Sequence, residues 1–158
     1  MGLTTASTPI KKPIDAKERL IVALDLPTLV EARSMVESLD GLVYTFKIGL
    51  TLQLAVGVEG FITELIRKSK KVFLDYKYFD IPETIQTAVK RAAELGVTFL
   101  TVHGNREIIQ AAVRGRGTGS LKILSVTVLT SLDASDIKDL GFDCSVKELV
   151  LHLSLIHI

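Results

Sequence analysis

The chain has 158 residues, 47% of them apolar and 23% charged, with 19 basic and 18 acidic residues for a formal net charge of +1. A length within roughly 100–200 residues suits one domain, the apolar fraction excludes wholesale disorder, and the charge balance offers neither a basic field for nucleic acid nor an acidic tail. A single cysteine, Cys144, excludes an internal disulfide and a thiolate zinc site and points to a reducing, cytoplasmic compartment, and no apolar run approaches the roughly 18–20 residues of a membrane span.

Residues 1–17 (MGLTTASTPIKKPIDAK) carry no apolar period and hold two of the four prolines. They lack the apolar core of a secretory signal. A loose extension over residues 1–18 is expected, with an organelle transit peptide as the other reading. From Arg19 the chain alternates. Residues 20–25 (LIVALD) form a continuous apolar run ending in an acid, and Pro27 and Thr28 open a helix over residues 29–39. Residues 43–48 (VYTFKI) predict a second strand closed by Gly49, and residues 51–69 a helix interrupted at Gly57. Residues 71–77 (KVFLDYK) predict the third strand, and Pro82 opens a helix that Gly96 stops. Residues 97–103 (VTFLTVH) predict the fourth, followed by a helix over 106–113 and a glycine-rich loop over 115–120 (GRGTGS). Residues 121–129 (LKILSVTVL) predict the fifth, with short helices over 134–140 and 146–153.

Strands that read as unbroken apolar runs suit a parallel sheet, and repeated βα units leave an open doubly wound sheet or a (β/α)8 barrel. No G-x-G-x-x-G follows the first strand, which argues against a dinucleotide-binding unit. The polar residues fall at strand ends: Asp25, Lys47, Asp75 with Lys77 and Asp80, His103, then Thr130 and Ser131. In a barrel that rim is where active sites are built. Each residue also has a plainer explanation. Asp25 could be a helix cap, Lys47 a snorkelling surface lysine, His103 a hydrogen-bonded rim histidine and GRGTGS a plain loop on the opposite rim. Asp75 and Lys77, two apart on one face, could be an internal ion pair, but desolvation makes such pairs poor stabilisers. His152 and His157 show no ligand spacing.

The run FLDYKYFDIPETI, residues 73–85, resembles the D-x-K-x-x-D-I-P signature of the orotidine 5'-phosphate decarboxylases, here Asp75, Lys77, Asp80, Ile81 and Pro82. IVALD (21–25), FKIG (46–49), VHG (102–104) and VTVLTS (126–131) stand around it in that family's order. The resemblance covers about residues 19–153. It implies a TIM barrel, incomplete here at about five of eight βα units. It implies decarboxylation of orotidine 5'-monophosphate to uridine 5'-monophosphate, the last step of de novo pyrimidine nucleotide synthesis, with no metal and no organic cofactor. The catalytic lysine–aspartate array falls on Lys47, Asp75, Lys77 and Asp80, with Lys77 stabilising and then protonating the carbanion at C6 of the pyrimidine. Asp25 and Lys47 match contacts to the ribose hydroxyls. Thr130 and Ser131 match the strand end that holds the pyrimidine, and His103 matches a rim position. Asp80 and Thr84 match groups that reach across a homodimer interface.

The family pattern also implies a Thr-Pro-Gly segment and an arginine that close over the substrate phosphate, and neither follows Leu153. Residues 154–158 end a tail, LSLIHI, that is unlike the family. A C-terminally truncated, nearly inactive chain with an open sheet edge is therefore expected. Three other readings stand beside this one. A sugar-phosphate decarboxylase or aldolase of the same superfamily would set Asp75 and Asp80 around Mg2+, but its D-x-K-x-x-D is followed by Ala-Gly where this chain has Ile81-Pro82. A Schiff-base aldolase would use Lys47 or Lys77. A half-barrel could also serve as a non-catalytic binding module.

Overall fold

The computed structural model of the chain describes residues 14–155. Residues 1–13 of the expected extension and 156–158 of the expected tail lie outside them. The described end of the extension is tied down. Asp15 caps a short 3-10 turn, Ala16–Glu18, and Glu18 pairs with Lys71 at 2.8 Å.

Five strands, β1 (Ile21–Ala23), β2 (Thr45–Gly49), β3 (Lys71–Tyr78), β4 (Phe99–His103) and β5 (Lys122–Val126), form one sheet in the order β1-β2-β3-β4-β5. Every neighbouring pair is parallel. The connections hold α1 (Leu29–Ser38), α2 (Leu50–Gln53), α3 (Val58–Arg67), α4 (Pro82–Leu95) and α5 (Arg106–Arg116), and α6 (Ala134–Asp139) and α7 (Val146–Leu155) follow β5. Strands that add in one direction, joined by right-handed crossovers, put their helices on a single face. A doubly wound sheet reverses its order at a switch point, and this one does not. The βα rhythm therefore resolves to successive units of a barrel, as the sequence resemblance implied.

The helix-covered face carries the core. Phe46, Ile48, Val72, Leu74, Leu100 and Val102 pack there with Ala32, Phe61, Leu65, Ile85, Val89 and Ala111 from the helices. The alternate positions face the other way. There Phe73 and Phe99 meet edge to face at 5.9 Å, and Lys122 lies over Phe99. Ile21 and Leu124, on the two edge strands, remain 45% and 39% exposed. One face of the sheet is thus dry, and the other is open with its polar residues toward one end.

Local chemistry explains the helix ends. Thr28 and Glu31 form a reciprocal capping box that starts α1. Pro82 sits in the first turn of α4, where its missing N–H costs nothing, and Gly96 ends that helix at φ +88°. Asn105 caps α5 through the Ile108 N–H.

The helical stretch expected over 51–69 with an interruption at Gly57 does divide there, into α2 and α3, with Gly57 as the N-cap of the second. Other boundaries differ from the sequence reading. Strand β5 stops at Val126, three residues short of the expected end. The glycine-rich stretch 115–120 is not all loop, because α5 continues through Gly115 to Arg116. The reason is packing: Gly115 is where α5 lies against α4, and a Cβ there would overlap the Gln86 carbonyl oxygen. Glycine, usually a helix breaker, is here the residue that permits close approach.

Candidate active site

The open face collects charge at the C-terminal ends of three adjacent strands. Asp25 follows β1, Lys47 lies in β2, and Asp75 and Lys77 lie in β3. Their charged groups form a chain of alternating sign. Lys47 Nζ stands 3.5 Å from Asp25 Oδ2 and 3.2 Å from Asp75 Oδ2, and Lys77 Nζ stands 3.0 Å from Asp75 Oδ1. Asp75 is central and the least exposed, its side chain 15% accessible against 22% for Lys47 and 35% for Lys77. A carboxylate between two ammonium groups offsets part of the desolvation that either pair alone would suffer.

Strand β3 reaches this arrangement through an irregularity. Leu74 pairs with Leu100 and Tyr78 pairs with Val102, so Asp75, Tyr76 and Lys77 together oppose the single residue Thr101 of β4. Lys77 takes φ +48°, the left-handed region that a lysine rarely adopts. Simple alternation placed Asp75 and Lys77 on one face, and the bulge delivers both to the same height. Sequence reasoning missed two residues at this point. Thr101 is 5% exposed and bonds both the Lys77 backbone and the Asp75 carboxylate. Its position two before His103, on the inward side of β4, was the available signal. Gly49 ends β2 beside the array, where a Cβ would come within 3.0 Å of Asp25 Oδ1.

The other residues singled out from the sequence stand around this rim outside the ion pairs. Asp80 is exposed, its Oδ1 accepting the Ile81 N–H at 2.7 Å. Thr84 is exposed in the first turn of α4. Thr130 and Ser131 occupy an exposed turn beyond β5. His103 is half-buried, with Nδ1 2.7 Å from the Val126 carbonyl oxygen and its ring against Phe79. A carbonyl only accepts, so Nδ1 carries the hydrogen.

Burial alone would push the Asp75 carboxyl up. Hydrogen bonds from Lys77, Thr101 and Lys47 outweigh it and hold the group below the usual carboxylate value. A carboxyl whose folded value is depressed contributes stability above its unfolded value, about 3.9, and loses it as pH falls through the folded one. The urea midpoint of the chain should therefore fall as pH drops from about 5 through the depressed folded value. Asp40, Asp133 and Glu148, held low by hydrogen bonds from Lys70, Ser135 and Ser145, act in the same direction. Asp75→Asn should flatten part of the fall, and an unchanged pH slope would remove the array from the acid response.

The description "Orotidine 5'-phosphate decarboxylase / HUMPS family" matches residues 18–155. The chain belongs to this family. Among its curated relatives, the orotidine 5'-phosphate decarboxylase of Nitrobacter winogradskyi is 57% identical over 136 residues, covering 86% of this chain and 56% of the relative. That of Methylococcus capsulatus is 52% identical over 140 residues, covering 89% of this chain and 57% of the relative. The crystal structure of orotidine 5'-phosphate decarboxylase from Lactobacillus acidophilus superposes with a TM-score of 0.80 at 32% identity, covering 87% of this chain and 66% of that one. The chain thus spans little more than half the length of the curated relatives it matches. It carries the family's TIM-barrel architecture over five consecutive strands.

Proposed function

We propose that this chain supplies the catalytic half of an orotidine 5'-monophosphate decarboxylase. The observation that carries the reading is the alternating Asp25–Lys47–Asp75–Lys77 array on the open face of a family barrel. In the proposed reaction the C6–carboxylate bond breaks, CO2 leaves, and the electron pair stays on C6. The Lys77 ammonium, held by Asp75, is already in place to face that developing negative charge, so no dipole has to reorganise. A proton then passes from Lys77 Nζ to C6, and solvent restores it. Asp75 would lie beside the substrate carboxylate and repel it, while Asp25 and Lys47 would hold the ribose hydroxyls. Thr130, Ser131 and His103 would line the pyrimidine side of the rim.

The same reading makes the working form a cytoplasmic homodimer in which Asp80 and Thr84 reach the neighbouring site. Its support is the apolar surface around those two residues. Phe79 and Ile81 flank Asp80 and are 68% and 63% exposed, and Leu54 on the adjacent loop is 92% exposed.

The test is a chimera in which residues 18–155 replace the matching segment of the Nitrobacter relative. Loss of orotidine monophosphate absorbance at a rate within about tenfold of that relative is expected, because the array and the barrel are shared. A folded chimera without turnover would overturn the proposal. Turnover of a ketose phosphate that depends on Mg2+ would transfer the site to the sugar-phosphate reading.

A further inference from the structure

The bulge in β3 poses an accounting problem. Three residues oppose one, so the ladder loses backbone partners there, and a half-buried N–H left unpaired is costly. The Lys77 N–H finds its acceptor in a side chain, Thr101 Oγ1 at 2.9 Å. The same hydroxyl lies 3.0 Å from Asp75 Oδ1. A hydroxyl has one proton to give, and a carboxylate can only accept, so that proton goes to Asp75. The Leu74 carbonyl, at 3.5 Å, is too distant to compete. Thr101 is itself 5% exposed in β4, and its β-branched side chain leaves few rotamers.

We propose that Thr101 is the positioning residue of the array: one hydroxyl fixes both the left-handed backbone that aims Lys77 and the carboxylate that holds the Lys77 ammonium. Any effect on turnover rests on the decarboxylase reading, but the contacts do not. Threonine in place of an aliphatic residue at this inward position is explained by the bulge, because an isosteric valine would leave the Lys77 N–H and Asp75 Oδ1 each one partner short.

The experiment uses the 158-residue chain with carboxyl-labelled aspartate, read by NMR. Thr101→Val should raise the Asp75 titration midpoint by roughly 0.5–1 pH unit, the scale of one lost hydrogen bond, and speed Lys77 amide exchange about tenfold. Thr101→Ser should return both toward the parent. A folded Thr101→Val chain with the parent's midpoint and exchange rate would overturn the proposal. If the valine chain does not fold, the parent decides: a Lys77 amide exchanging at the free-peptide rate overturns the proposal, and a protected one supports it. In the Nitrobacter chimera, Thr101→Val should lower kcat about tenfold with little change in KM, again restored by serine. A parent chimera without turnover would defeat the function while leaving the titration to decide Thr101.

Discussion

Lys77→Ala in the Nitrobacter chimera is expected to lower kcat at least about 10³-fold, measured by orotidine monophosphate absorbance. On the proposed decarboxylase reading, two separate contributions would vanish together. One is the fixed positive charge facing C6, a preorganised donor of the kind worth about 10²–10³ in rate. The other is the proton source, worth about 10²–10⁴, although the two act as one group and do not multiply freely. KM should change far less, because the contact matters most when charge develops on C6. The variant should fold, since Asp75 keeps Lys47 at 3.2 Å and Thr101 at 3.0 Å. A near-parent kcat would assign the protonation elsewhere, and sodium borohydride trapping of a substrate adduct would point to Schiff-base chemistry instead.

The second large effect concerns packing. Gly115→Ala is expected to destabilise the chain by about 2–3 kcal/mol, read as a lowered urea midpoint with an unchanged slope. In an ordinary helix interior the same change would stabilise by about 0.5–1 kcal/mol, because alanine costs less backbone entropy. Here the new methyl would overlap the Gln86 carbonyl oxygen, which is backbone and has no rotamer to yield. Helices α4 and α5 would have to separate, loosening Ile85, Val89, Ala111 and Ala112 in the buried core. Gly60 in α3 supplies the control, since nothing stands within 4 Å of a Cβ built there. Gly60→Ala should follow the ordinary rule and raise the midpoint. Opposite signs would separate the close contact from helix propensity, and a stabilising Gly115→Ala would show that the two helices do not meet as closely as described.

The architecture was legible because buried parallel strands leave a coarse signal. Runs such as VFLD and FLTVH stand between Pro82, Gly96 and other punctuating residues, so each βα unit declares itself. That Lys47, Asp75 and Lys77 share a face follows from strand alternation, a regular property, but the close pairing of Asp75 with Lys77 also depends on the bulge. Thr101 and Gly115 were not legible, because their parts depend on relations between elements. A threonine in a strand looks ordinary until three residues of the neighbouring strand oppose it. A glycine in GRGTGS looks like a turn until a second helix lies across it. Asp25 falls between these cases. Its placement after β1 was evident, but its 3.5 Å approach to Lys47 was not, and neither was the neighbouring Gly49, where a Cβ would stand 3.0 Å from Asp25 Oδ1.

The bulge also has a consequence for how this strand continues. Opposite Thr101 it places three residues where a regular ladder would place one, an excess of two. Two is an even number, so the parity of the strand survives: Tyr78 meets Val102 on the side where Leu74 meets Leu100. An excess of one would have turned every later side chain inside out. The sheet thus gains its second charged residue, Lys77, together with Tyr76, which packs against the core, while Tyr78 keeps the face that a regular strand would give it.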